Sequence, residues 1–374
     1  MRRQLHLKRQ ASNHLRLLCS LGLDWRVVMP DLIQALREIV PFTHAALTWY
    51  NADLQGLDGF ADWHYPGSAE NNVLLVTEFY QKKRMLEVFF SGNEILQLPV
   101  ITRPDQWLRV SRREYMRHDL YQTIERPSGT HHALSLRLAY RNGLMAILVI
   151  NRTVGDLCFS SEEIRVLENL CPFLSAAINH PVVVSSNNWC DAEQGLLMFD
   201  RFGVLHHLDA NAKQIMDYAL ERRAQVRHTF ALPYRAPWLT SLLKTLAARL
   251  DAIRRGDANA TPAVIRMRNY WGQFEFRGYW LEATQLEHDS LYAANVFRLT
   301  PLPLRLAYGV NKQDLSLRES QVALAISLGE THRQIADKLN ISERTVIGHS
   351  QQIYDKLSIA NRVELLALLI NQRF

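Results

Sequence analysis

Residues 315–370 read LSLRESQVALAISLGETHRQIADKLNISERTVIGHSQQIYDKLSIANRVELLALLI. Ser316 and Glu319 stand three apart before an apolar run, the spacing at which each side chain satisfies the other's backbone N–H at a helix start. Val322, Leu324, Ala325 and Leu328 then supply core positions, and Gly329 suits a left-handed stop. Thr331 and Gln334 repeat the cap before a short helix in which Ile335, Ala336 and Leu339 are apolar. Asn340 suits a left-handed turn and Ser342 an N-cap. In the helix that follows, Val346, Ser350, Ile353 and Leu357 share one face, and the other face carries Ile347, Gly348 and Gln351, all uncharged. A last run, NRVELLALLI, is apolar on most sides, so it packs deeply or meets a second chain.

The spacing therefore predicts an all-α unit of four helices over 313–374, two of them joined by a tight turn. Such a helix-turn-helix places its second helix in a major groove, its first turns against base edges. A small bundle without a ligand fits the same periodicity. The segments L-S-x-R-E-x-x-V from Leu315, Gly329, Gln334-Ile335-Ala336-x-x-Leu339, Ile341-Ser342-x-x-Thr345-Val346, His349 and Lys356-Leu357 resemble the LuxR-type DNA-binding domain at fixed spacing. The resemblance implies that Ser342, Thr345 and backbone groups at the helix starts meet phosphates, since helix N-termini favour anions. It implies also that Ile347, Gly348 and Gln351 face the groove, whereas the family usually carries lysine or arginine where Ile347 stands. Isoleucine can pack on a thymine methyl and glutamine can pair with adenine N6 and N7. Arg333, Lys338, Arg344 and Lys356 are the cations available for a salt-dependent phosphate term, and each also fits a solvated surface charge.

Working outward, WRVVMPDLIQALREIV (25–40) has helical apolar spacing, Pro41 stops it, and HAALTWYNAD starts a strand. ALSLRLAYRNGLMAILVINR (133–152) holds two β-type runs around Asn142-Gly143, a strong hairpin signal. FSSEEIRVLENLCPFLSAAI (159–178) opens with a Ser160/Glu163 cap and continues as a stripe of Ile164, Leu167, Leu170, Leu174 and Ile178. This order resembles the C-terminal half of a GAF domain, with the helix at 28–40 and its strand resembling the start. It implies an antiparallel sheet backed by helices, used for small-molecule sensing or dimerisation, but no Cys-His pair suits a bilin. Trp49, Trp63, His64 and Tyr65 are the candidate ligand contacts, although aromatics at strand spacing are more often core.

GLLMFDRFGVLHHLDANAKQIMDYA (195–219) reads as strand, Asp-Arg-Phe-Gly turn, strand and helix, and 264–299 as closing strands. This resembles a PAS domain, in which the residue corresponding to Asn211 ties the second strand to the first helix. The cysteine-bearing motif of flavin photosensors is missing, and His206 and His207 are better read as structural than as haem ligands. TPLPLRLAYGVNKQD then supplies a proline-marked break.

The expected fold is α+β: a GAF-like domain at 1–180, a PAS-like domain at 188–300, a linker at 301–312 and the helix-turn-helix domain at 313–374. The chain has 374 residues, 48% hydrophobic and 21% charged, with a net charge of +6 spread along its length, so charge alone locates no partner. No run approaches the ~20 apolar residues of a membrane span, and Arg16 interrupts the apolar part of the basic N-terminus, which favours an amphipathic helix over a signal peptide. The four cysteines are scattered, as suits a reducing cytoplasm. No G-x-x-x-x-G-K-[ST], G-x-S-x-G or H-E-x-x-H occurs, and the N-terminus lacks the paired acids of a phosphorylated receiver. The Trp/Tyr/Asp-Pro pocket signature of acyl-homoserine-lactone receptors is not found either. The expectation is a cytoplasmic, non-enzymatic transcription regulator without cofactor or metal. Its partners are double-stranded DNA, a second copy of the chain, a small-molecule effector and, as a further candidate, RNA polymerase. The alternative is an adaptor that binds partner proteins and grips DNA weakly because of Ile347.

Overall fold

The computed structural model describes residues 2–50, 57–64, 84–127, 129–139, 145–179, 189–220, 237–269, 271–281 and 291–371. Helix α1 (Arg2–Cys19) runs into α2 (Trp25–Ile39), which starts where the Asp24 side chain accepts from the Arg26 N–H at 3.0 Å. Val28, Leu32, Leu36 and Ile39 of α2 are buried, as their helical spacing requires, together with Leu15, Leu17 and Leu18 of α1.

The first sheet has the order β2-β1-β5-β4-β3, all antiparallel, from β1 (His44–Tyr50), β2 (Leu57–His64), β3 (Ile101–Thr102), β4 (Thr130–Ala139) and β5 (Met145–Thr153). Side chains alternate between its faces. Ala45, Leu47, Leu134, Leu136, Leu138, Leu148 and Ile150 meet α1, α2 and α3 (Ser161–Ile178) in one core. Ala46, Tyr50 and Ile147 face the other way, under short helical turns that bring Val88, Ile95, Tyr115, Leu120 and Ile124 over the sheet. The Asn142-Gly143 turn lies outside the described residues, but Ala139 pairs with Met145 across it. The Ser160/Glu163 cap forms as expected, and Glu163 also holds the buried Arg152 guanidinium at 2.6 Å.

The second sheet repeats that strand order, β7-β6-β10-β9-β8, again antiparallel, from β6 (Trp189–Phe199), β7 (Leu205–Leu208), β8 (Val264–Asn269), β9 (Gly272–Trp280) and β10 (Tyr292–Pro301). Phe199, Phe274, Phe276 and Val296 pack on α4 (Ala210–Ala219) and α5 (Pro237–Arg254) through Ile215, Met216, Leu239, Leu243 and Leu246. The tie expected from Asn211 is made two residues earlier. Asp209 caps α4 by accepting from Ala212 N–H at 2.6 Å and takes the Leu196 N–H at 3.1 Å, while Asn211 is exposed.

Residues 301–312, expected as a linker, are instead the buried helix α6 (Leu302–Asn311). Its Leu304, Leu306, Ala307 and Val310 are all buried, so the described chain carries one apolar core through both sheets and on into the C-terminal helices. The overall class is mixed α/β, with two antiparallel sheets and a helical C-terminal domain.

Where α2, β10 and α6 meet, the Asp31 carboxyl faces Arg298 and Glu193, and its Oδ2 has no hydrogen-bond partner. Burial pushes its pKa up to about 7, against the pull of Arg298 and with the help of Glu193. An unfolded aspartate titrates near ~3.9, so between that value and about 7 the folded chain holds the extra proton. Folding stability from this site is therefore full below pH ~4, falls as pH rises, and is gone above about 7. Asp31→Asn is expected to flatten that decline and to leave the protein more stable than wild type at pH 8, as urea unfolding across pH checks.

Candidate nucleic-acid interface

Helix α7 (Leu317–Leu328) begins with Ser316 N–H donating to Glu319 Oε2 at 2.8 Å and Glu319 N–H donating to Ser316 Oγ at 3.3 Å. It ends at Gly329 with φ 99°, left-handed backbone that a side chain would strain. Helix α8 (His332–Leu339) has the equivalent Thr331/Gln334 cap and stops at Asn340, φ 51°. Ser342 Oγ then accepts from Thr345 N–H at 3.1 Å to start α9 (Glu343–Leu357), and Asn361 starts α10 (Arg362–Ile370). Val322, Ile335, Val346, Ile353, Leu365 and Leu369 are fully buried between these helices. Each helix start foreseen from the sequence is thus a formed cap.

With Val346, Ser350 and Ile353 turned inward, Arg344, Ile347 and Gln351 fall on the opposite, exposed face of α9. Ile347 is 40% exposed. A Cβ built on half-buried Gly348 would meet nothing within 4 Å, so the chain's own packing gives no reason for glycine there. Gln352, absent from the sequence expectations, is also exposed and follows Gly348 by one helical turn, a spacing that could have found it.

Thr345 and Ser342 are exposed at the α9 N-terminus with their hydroxyls 2.7 Å apart, next to exposed Arg344. Arg333 is exposed on α8. The other two expected phosphate cations are engaged inside the domain. Lys338 Nζ bonds Glu330 at 2.7 Å, and Lys356 Nζ bonds both oxygens of Glu319 at 2.7 and 2.8 Å. Burial works against the Glu319 charge, but Lys356 and the α7 cap outweigh it and hold its pKa below the usual range. Lys356 is therefore a tie between α9 and α7, with its side chain still 49% exposed.

Of the aromatic ligand candidates, Trp49 is the one whose side chain is described. Trp49 lies on the helix side of the first sheet, edge-on to Trp25 at 5.1 Å, and so belongs to the core. Trp63 and His64 pair through their backbones with Ala45 and His44, and Tyr65 lies outside the described residues. His206 bonds Asp200 at 3.1 Å, in keeping with a structural role. Among the described residues no group of His, Cys, Asp and Glu is arranged to hold a metal.

Residues 313–369 match the family of bacterial regulatory proteins, luxR family, and this C-terminal unit is a LuxR-type helix-turn-helix domain. The "Probable transcriptional regulatory protein SgaR" of Hyphomicrobium methylovorum is 37% identical over 59 residues, 16% of this chain and 28% of that protein. The chain thus spans less than a third of the length of this relative. Three solved structures are similar at low scores. The GAF domain/HD domain protein from Geobacter sulfurreducens is 15% identical, covering 43% of this chain and 97% of its own, with a TM-score of 0.28. Escherichia coli SdiA is 11% identical over 93% of this chain and 92% of its own, TM-score 0.28. The Vibrio cholerae VqmA dimer is 12% identical over 58% and 95%, TM-score 0.16.

Glycine inside a helix costs about 1 kcal/mol against alanine, and the added methyl meets open space at position 348. Gly348→Ala is expected to raise the stability of the protein by about that amount, read as a higher urea midpoint with an unchanged slope.

Proposed function

We propose that the chain is a cytoplasmic, non-enzymatic transcription regulator. Its C-terminal domain reads a two-half-site operator as a homodimer, and its GAF-like and PAS-like modules answer a small-molecule effector. The observation that carries this reading is the open face of α9, where Arg344, Ile347, Gly348 and Gln351 stand clear of the protein's own packing. Ile347 packs on a thymine methyl, Gln351 pairs with an adjacent adenine, and the missing Cβ at Gly348 lets the backbone close on the base edges. Phosphate anchoring falls to Thr345, the α9 N-terminus, Arg333 and Arg344.

Dimerisation suits this grip, because one short helix-turn-helix with few free cations binds weakly and two half-sites multiply its hold. The last helix supports it. Leu365 and Leu369 are buried, but Val363 is 74% exposed, with Leu366 and Ile370 half-buried. No helix among the described residues is long and apolar enough to cross a membrane. RNA polymerase remains the partner through which such a regulator would act. One observation favours the adaptor alternative: Ile347 replaces the family's usual cation while Lys338 and Lys356 are tied up internally.

The test is selection of genomic fragments by the full-length protein, followed by base scanning of the enriched site. An imperfect palindrome whose thymine preference disappears in Ile347→Ala is expected; enrichment of nothing, with capture of partner proteins, sinks DNA reading in favour of the adaptor. Ile347→Lys is expected to strengthen binding across sequences alike and to steepen the salt dependence by about one counterion.

A further inference from the structure

Between α1 and the DNA-binding domain lies a cavity of about 230 Å³. That is room for several waters or for one small molecule. One wall is α1, through Arg9, Gln10, Asn13 and His14; the other is the end of α6 and the start of α7, through Asp314 and Ser320, with Lys356 reaching in from α9. Leu17, Val310 and Leu315 make an apolar floor.

The wall chemistry is unusual for a packing fault. His14 is 7% exposed, lines the cavity, and has an Nδ1 with no hydrogen-bond partner. A buried polar atom left unpaired costs on the order of 1–3 kcal/mol; Nδ1 itself is closed off from the cavity, which His14 lines through the rest of its side chain. Burial pushes the His14 pKa down to about 4, so at neutral pH the ring is uncharged and offers a hydrogen bond rather than a charge. Gln10 is already committed, donating to the Asn311 carbonyl at 2.5 Å. Asn13 and Ser320 add further polar groups to the walls.

Charge on the rim narrows the ligand. Arg9 and Asp314 are both exposed, and neither makes an ion pair among the described residues. Lys356 is neutralised by Glu319. One free cation and one free acid at the mouth of a polar cavity match a molecule carrying both signs. A dianion such as phosphate would meet Asp314 as a like charge, and an apolar ligand would leave the imidazole and amide groups unpaired.

We propose that this cavity binds a small zwitterion, a free amino acid, with its carboxylate at Arg9, its ammonium at Asp314 and its side chain among Asn13, His14 and Ser320. The bound molecule fastens α1 to the DNA-binding domain, so occupancy is linked to how firmly that domain is held.

The test is titration calorimetry of the full-length protein with glycine, L-serine and L-glutamine, alongside acetate, ethylamine and inorganic phosphate. At least one amino acid is expected to bind about tenfold more tightly than acetate or ethylamine, and to lose about tenfold in affinity in Arg9→Glu and in Asn13→Leu. Both substitutions are of exposed or half-buried residues, and thermal unfolding of each variant verifies that it is folded. Amino acids that bind no better than acetate and ethylamine, or equally well to both variants, overturn the proposal. Phosphate as the tightest probe overturns it too, by making the cavity an anion site.

Discussion

Helix α6 has to fit against three layers at once, and the arrangement of the molecule follows from that. Gly309 lies so close to the last helix that a Cβ there would collide with the Leu369 carbonyl. Arg305 donates to the Ile370 carbonyl at 2.6 Å on the same side. Toward the N-terminus, the Asn311 carbonyl accepts from Gln10, and the Tyr308 ring lies 5.8 Å from His14. Buried Leu304, Leu306 and Val310 each contribute on the order of 1.5–3 kcal/mol, a sum within the range of an ordinary domain's whole stability. A helix so held is no hinge. Movement of the DNA-binding domain relative to the sheets would have to break this packing or carry α6 along.

How much of this was legible in the sequence depended on range. The caps at Ser160, Ser316, Thr331 and Ser342 were readable because their partners lie three residues away, within reach of local geometry alone. The buried stripes of α3, α7 and α9 were readable for the same reason, since period fixes which residues share a face. What failed was decided by distant contacts or by competing local signals. The prolines before α6 were read as a break, yet Pro301 is its N-cap and Pro303 sits in its first turn, where proline's fixed φ and missing N–H do no harm. Trp49 stands at strand spacing that fits pocket and core alike, and only the position of Trp25 decides between them. Asp209 and Asn211 are both competent caps two residues apart, and resemblance favoured the wrong one.

The DNA face was legible as a position but not as a set of charges. Periodicity placed Ile347, Gly348 and Gln351 opposite the buried stripe of α9, and they are there. Counting cations left out their partners within the protein, because Glu319 and Glu330 pair with Lys356 and Lys338 from outside their own helices. A surface pair such as Lys338–Glu330 exchanges cheaply for a phosphate. Glu319 is different, since its side chain is 6% exposed and removal of Lys356 to DNA would leave a nearly buried carboxylate without its counter-ion.

That asymmetry bears on how the two ends of the domain communicate. Lys356 closes α9 onto α7 and lines the cavity that α1 also lines, so the recognition helix and the N-terminal helix border the same space. Coupling between two sites is limited to the difference in a ligand's affinity for the two states it connects. A molecule in the cavity touches α1 on one side and α7 and α9 on the other, so it favours only those arrangements in which the helices stay together. If DNA binding as a dimer requires α1 to stay docked, occupancy strengthens the complex; if it requires release, occupancy weakens it by the same factor. Either way the signal passes through packed helices already in contact, and no distant relay is needed.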